Sequence, residues 1–176
     1  MKSYIDASLR ILRNYFIFAV SFVGFLVLVI VLTSDKIRDT VLYIYSSIML
    51  FLAVSSIFME VNSIGVREKK PEYRVKGYPL KGLIYGVAGF LPVFILFLIV
   101  RLLPLGSPFL NQIRHLALNA ILAPTFLLIK LGRESSASYF CASAVVPVTA
   151  ALGYLLGYLG IEVEMKKKKK QMNNQT

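Results

Sequence analysis

The residues able to do chemistry are few. His115 is the one histidine and Cys141 the one cysteine among 176 residues, too few ligands for a zinc site of the usual kind. A serine hydrolase would have to draw on His115, yet no serine sits in a G-x-S-x-G turn. Neither a G-x-x-x-x-G-K-[ST] phosphate loop nor an H-E-x-x-H pair occurs. On a helical wheel His115, Asn119, Ala123 and Lys130 fall within about 80° of one another, a polar line of the kind that rims a pore mouth or a substrate vestibule. The competing reading is that His115 and Lys130 mark two water boundaries and Asn119 bonds a neighbouring helix. The chain is therefore read as non-enzymatic, with no catalytic residue, metal or cofactor assigned.

The elements that must carry these residues are set by where charge is missing. Asn14–Ser34, Thr40–Met59, Gly82–Val100, Leu116–Ile129 and Ser135–Ile161 contain no Asp, Glu, Lys or Arg. A hydrocarbon core about 30 Å thick takes roughly 20 helical residues to cross, and charge at its centre is expensive. Hydrophobic residues make up 57% of the chain and charged ones 16%, where a soluble domain carries about a quarter charged; the mean hydropathy is +0.69. The expected fold is all-α: a polytopic membrane bundle of four transmembrane helices plus one short in-membrane or re-entrant helix, with five spans as the alternative. The spans fall at about 14–34, 40–60, 82–101 and 136–161, and the short helix at 115–131. Residues 1–165 form one membrane domain and 166–176 a disordered, polybasic tail.

The fourth run decides the span count. Its 14 residues reach about 21 Å as a helix, and Pro124 removes a backbone donor inside it. Lys and Arg gather on the cytoplasmic side. With the N-terminus inside and four crossings, 14 cations lie inside and 6 outside, against 11 and 9 for five crossings. Both termini are thus expected in the cytoplasm. Before the first span, Ile5, Leu9, Leu12 and Phe16 share one helical face and Lys2, Asp6, Arg10 and Arg13 the other, which suits either an interfacial helix or an extension of span one. The first run is read as a retained span, since no A-x-A-like cleavage site follows it.

The nine acidic residues all fall at span ends or in connections. That disfavours a self-contained proton-driven pump, which needs an ionisable group at membrane depth. Glu60 lies nearest a span and is expected to pair with Arg67 or another loop cation, or to be hydrated. Cys141 is expected to be buried packing. Small residues supply a second pattern. Gly82, Gly86 and Gly89 open span three; Ala137, Cys141, Thr149, Gly153 and Gly157 follow a four-residue spacing in the last span, interrupted by Val145, with Gly160 beyond. Such faces let helices approach closely, either in a dimer seam or between spans three and four of one chain. The net charge of +11 sits beside the spans, where anionic headgroups rather than nucleic acid are the nearer partner. Arg67, Lys69, Lys70, Arg74, Lys76 and Lys81 are the candidate lipid contacts.

The segments Tyr78-Pro79-Leu80-Lys81-Gly82-Leu83 and Leu152-Gly153-Tyr154-Leu155-Leu156-Gly157-Tyr158, over the C-terminal two thirds of the chain, resemble small, functionally unassigned multi-span membrane proteins of Gram-positive bacteria. The resemblance implies a bacterial plasma membrane and a cytoplasmic tail, and no activity. The functional expectation is an accessory or scaffold subunit acting through helix–helix contacts, as a homo-oligomer or with a membrane-protein partner. The alternative is a small transport or channel component working as an oligomer or with a partner.

Overall fold

The uncharged runs fold as helices that outlast them. In the computed structural model, which describes residues 2–70, 77–103 and 108–161, every element is helical. The order is α1 (Lys2–Leu32), α2 (Asp35–Lys69), α3 (Lys81–Leu102), α4 (Pro108–Ile121), a 3-10 turn (Ala123–Thr125), α5 (Phe126–Leu131) and α6 (Ser136–Leu159). Helices α1, α2, α3 and α6 are long and apolar enough to cross a membrane. The architecture is the all-α bundle that the charge pattern implies.

Helix α1 is continuous from Lys2, so its first three turns extend span one rather than form a separate interfacial helix. Its buried stripe is Ala7, Ile11, Tyr15, Ala19 and Phe22, while Ile5, Leu9 and Phe16 point outward. Helix α2 has 35 residues, about 52 Å at 1.5 Å per residue, and so overruns the apolar segment. Its buried stripe carries on through Ile57, Val61, Gly65 and Glu68, at spacings of a helix face turned to the core.

The segment expected as one short helix over 115–131 is two helices. Helix α4 begins at Pro108, the backbone tightens to 3-10 at Ala123–Thr125, and the axes on either side of the break differ by 85°. Pro124 sits in the first turn of the 3-10 segment, where its missing donor costs nothing. The pair is either a broken span or a re-entrant segment.

Helix α6 is central and packs most extensively on α2 and then on α3. Its start is capped by the Ser135 hydroxyl, which accepts from the Ser138 amide at 3.2 Å. Its end is closed by Gly160 at φ 93°, a left-handed position that glycine fills without Cβ strain. Cys141 is exposed on the outside of α6, a correction to the buried position expected for it.

Candidate functional site: a polar knot and an open intramembrane groove

The best-defined polar assembly lies where α2 ends and α3 begins. Lys81 Nζ donates to Glu68 Oε2 at 2.6 Å, and neither side chain is more than 1% exposed. Tyr154 donates to the same oxygen at 2.7 Å, and Tyr85 donates to Glu68 Oε1 at 2.8 Å. Tyr4 of α1 completes the knot: its ring lies edge-on to Tyr85 at 5.3 Å, with Lys81 Nζ 4.9 Å from the Tyr4 centroid. Charge in a low-dielectric interior persists only when paired and hydrogen-bonded. Here the carboxylate has three donors, and the four residues around it join all four long helices. Such an assembly holds a bundle in one arrangement.

Lys81 is therefore a correction to the lipid-contact set, because its ammonium is enclosed by Glu68, Tyr85 and Tyr4 and does not reach headgroups. Arg67 and Lys69 are exposed on the last turn of α2 and Lys70 just beyond it, and Lys69 Nζ reaches the Leu159 carbonyl at 3.3 Å. Arg74 and Lys76, like the tail from 162 onward, lie outside the described residues. Glu60 pairs across helices with Arg10 at 3.0 Å, and among the described residues not with Arg67 or another loop cation. In the connection between α2 and α3, the Tyr78 hydroxyl is held above the ordinary phenol value, first by desolvation and then by Tyr4.

All five nominated glycines pack within the chain. A Cβ on Gly157 would strike the Asn62 carbonyl oxygen of α2, and one on Gly153 would lie 2.7 Å from the Phe58 carbonyl oxygen. Gly82 and Gly86 face Tyr154, Ala150 and Pro147 of α6, while Gly89 abuts Ser8 and Ile11 of α1. Asn62, nearly fully buried, donates through Nδ2 to the carbonyls of Gly153 at 3.2 Å and Ile161 at 3.1 Å. Neither Asn62 nor Gly65, which meets α6 at the Tyr154 carbonyl, was marked by the pattern of small residues.

The polar line of the fourth segment does not survive the break. His115 is exposed on α4, Ala123 is buried in the 3-10 turn, and Lys130 lies on α5 beyond the bend. Asn119 accepts from Tyr139 at 3.1 Å, so it bonds a neighbouring helix. Lys130 pairs with Glu134 at 2.7 Å.

Among the described glycines one is left over. Gly24 has nothing within 4 Å of where a Cβ would stand. It opens onto a groove of about 500 Å³ between α1, α3 and α4, walled by Ala19, Val20, Val23, Val93, Leu96 and Ile121. Tyr15 closes one end, donating to the Ile121 carbonyl at 2.7 Å, where α4 stops and a carbonyl needs a partner. Chemically the groove offers dispersion and nothing else. Among the described residues no three His, Cys, Asp or Glu side chains come together as a metal site. No protein-family model, no curated protein and no solved structure matches this chain.

Proposed function

We propose that the protein is a non-enzymatic, multi-pass subunit that works by contact inside the bilayer, with the Gly24 groove as its contact face. The observation that carries this is the division among the glycines. Those of α3 and α6 serve internal packing, whereas Gly24 fronts an open apolar groove. An open groove beside a small residue admits the close approach of another apolar helix, where dispersion drives association. The polar knot supports the same reading, because a locked bundle presents a groove of constant shape. The setting proposed is a bacterial plasma membrane with both termini cytoplasmic. Arg67, Lys69, Lys70, Arg74 and Lys76 then face the anionic leaflet, each gaining about 1 kcal/mol near the surface.

The test is crosslinking in native membranes. Cysteines at Val20 and Val23, in a Cys141→Ser background, should yield a discrete adduct with a second membrane protein or a second copy. Gly24→Phe should abolish it without unfolding the chain. Recovery of monomer alone at both positions overturns the reading. A second reading, a small transport component, is favoured by the 85° bend between α4 and α5, since broken helices mark binding sites in many carriers.

A further inference from the structure

At the end of the bundle away from Glu68, α2 and α5 enclose a cavity of about 230 Å³ lined by Asp39, Leu42, Tyr43, Ser46, Phe126, Leu127 and Lys130. Ser46 is 2% exposed, and its Oγ has no hydrogen-bond partner. The contrast with its neighbours is sharp: Ser47 turns its hydroxyl back to the Tyr43 carbonyl at 2.8 Å, and Ser143 does the same to Phe140 at 2.7 Å. A buried hydroxyl left without a partner is costly, and most buried polar side-chain atoms have a partner in the protein or in ordered water, so this one calls for an explanation.

The surroundings say what kind of molecule would satisfy it. Asp39 is exposed and makes no ion pair among the described residues, and Lys130, also exposed, lines the same cavity with Glu134 as its partner. Ser46 lies two turns further along α2, about 10 Å at 1.5 Å per residue, with Leu42, Leu127 and Phe126 as apolar walls. The order from rim to interior is an anion beside a cation, then a hydroxyl, with hydrocarbon around it. We propose that this cavity binds the headgroup of a zwitterionic, ethanolamine-type phospholipid. The lipid ammonium meets Asp39, the phosphate meets Lys130, an ester carbonyl accepts from Ser46 Oγ, and the acyl chains leave along the apolar walls. The placement at a span end favours a lipid over a soluble zwitterion, because a lipid already holds its charges at the water boundary and its esters just below. The site is separate from the Gly24 groove and stands or falls independently of it.

The full chain should be placed in nanodiscs of mixed phosphatidylethanolamine and phosphatidylglycerol and its bound lipids counted by native mass spectrometry. Phosphatidylethanolamine should be retained preferentially. Asp39→Asn should weaken that preference by about tenfold, the worth of one charge-assisted hydrogen bond, whereas Ser46→Ala should weaken retention of both lipids alike, since both carry the ester carbonyl. In lipid-free detergent Ser46→Ala should raise the melting temperature, since it deletes an unsatisfied group; a merely structural serine would lower it. Equal retention of the two lipids, or a preference unchanged in Asp39→Asn, overturns the proposal. So does thermal stabilisation of phosphatidylglycerol nanodiscs by free O-phosphoethanolamine without any lipid preference, which would assign the cavity to a soluble zwitterion.

Discussion

Glu68 and Lys81 meet at 2.6 Å with no more than 1% of either side chain exposed, and each stands at the helix end whose dipole opposes it. Glu68 is in the last turn of α2 and Lys81 opens α3, whereas carboxylates favour N-termini and cations favour C-termini. The two charges are thus held by each other and by the Tyr85 and Tyr154 hydroxyls, not by their own helices.

Removing one partner should strand the other. Glu68→Ala or Lys81→Met is expected to lower stability by about 3–5 kcal/mol, whereas the double replacement Glu68→Leu/Lys81→Leu should recover much of that loss. Tyr154→Phe removes one donor to a charged acceptor and should cost roughly 1.5–3 kcal/mol. Reversible unfolding in mixed micelles gives these values directly. Single losses below 1 kcal/mol, as for an exposed pair, would mean that the knot is open to solvent.

Arg10 and Glu60 supply the control. Their separation of 3.0 Å is close to that of the buried pair, but their side chains are 49% and 25% exposed. Hydrated charges gain little from pairing, so Arg10→Ala should change stability by no more than about 1 kcal/mol. In the same assay, a loss comparable to that of Glu68→Ala would contradict the difference in burial.

The glycines divide into two classes by what a side chain would strike. Gly157→Leu and Gly82→Leu drive Cβ atoms into the Asn62 carbonyl oxygen and the Tyr154 side chain, with backbone and a buried ring unable to yield. Overpacking of a tight core costs about 1–3 kcal/mol or more, so both variants should lose folded monomer on size exclusion. Gly24→Leu should leave the monomer peak and melting temperature unchanged. Loss of a complex with intact monomer in Gly157→Leu would instead place that face between molecules.

The spans were legible because hydrocarbon excludes charge, and the uncharged runs locate α1, α2, α3 and α6, although α1 and α2 begin or end well beyond theirs. The knot was not, because Glu68 and Lys81 border a basic connection and look hydrated when read by composition alone. Two signals were nevertheless present. Ile57, Val61, Gly65 and Glu68 continue one helical face beyond Glu60, and Lys81 stands one turn before Tyr85. The short length of the fourth run marked a segment that does not fully cross, but one helix was expected over 115–131 where α4, the 3-10 turn and α5 stand. The start at Pro108 was hidden because Arg114 and His115 look like the boundary of an apolar segment. The Gly24 groove leaves no trace in sequence, since an isolated glycine in an apolar helix has no pattern to belong to.

The bend between α4 and α5 also fixes what the fourth segment can reach. Helix α4 has 14 residues, about 21 Å of rise. Helix α5 has 6 residues, about 9 Å, and with an 85° bend between the two halves it adds almost nothing along the α4 axis. With α4 upright the pair would stop short of a hydrocarbon core about 30 Å thick, which favours the re-entrant arrangement over the broken span. Leu103 and Arg133, which flank it, should lie on the same face of the membrane. Cysteines at these two positions in a Cys141→Ser background should both react with an impermeant maleimide added outside intact cells. A cysteine at Arg67, across span three from Leu103, should react only after permeabilisation. Labelling of Leu103 and Arg133 from opposite sides would require α4 to straighten into α5, and the 3-10 turn at Ala123–Thr125 would then be the hinge that opens.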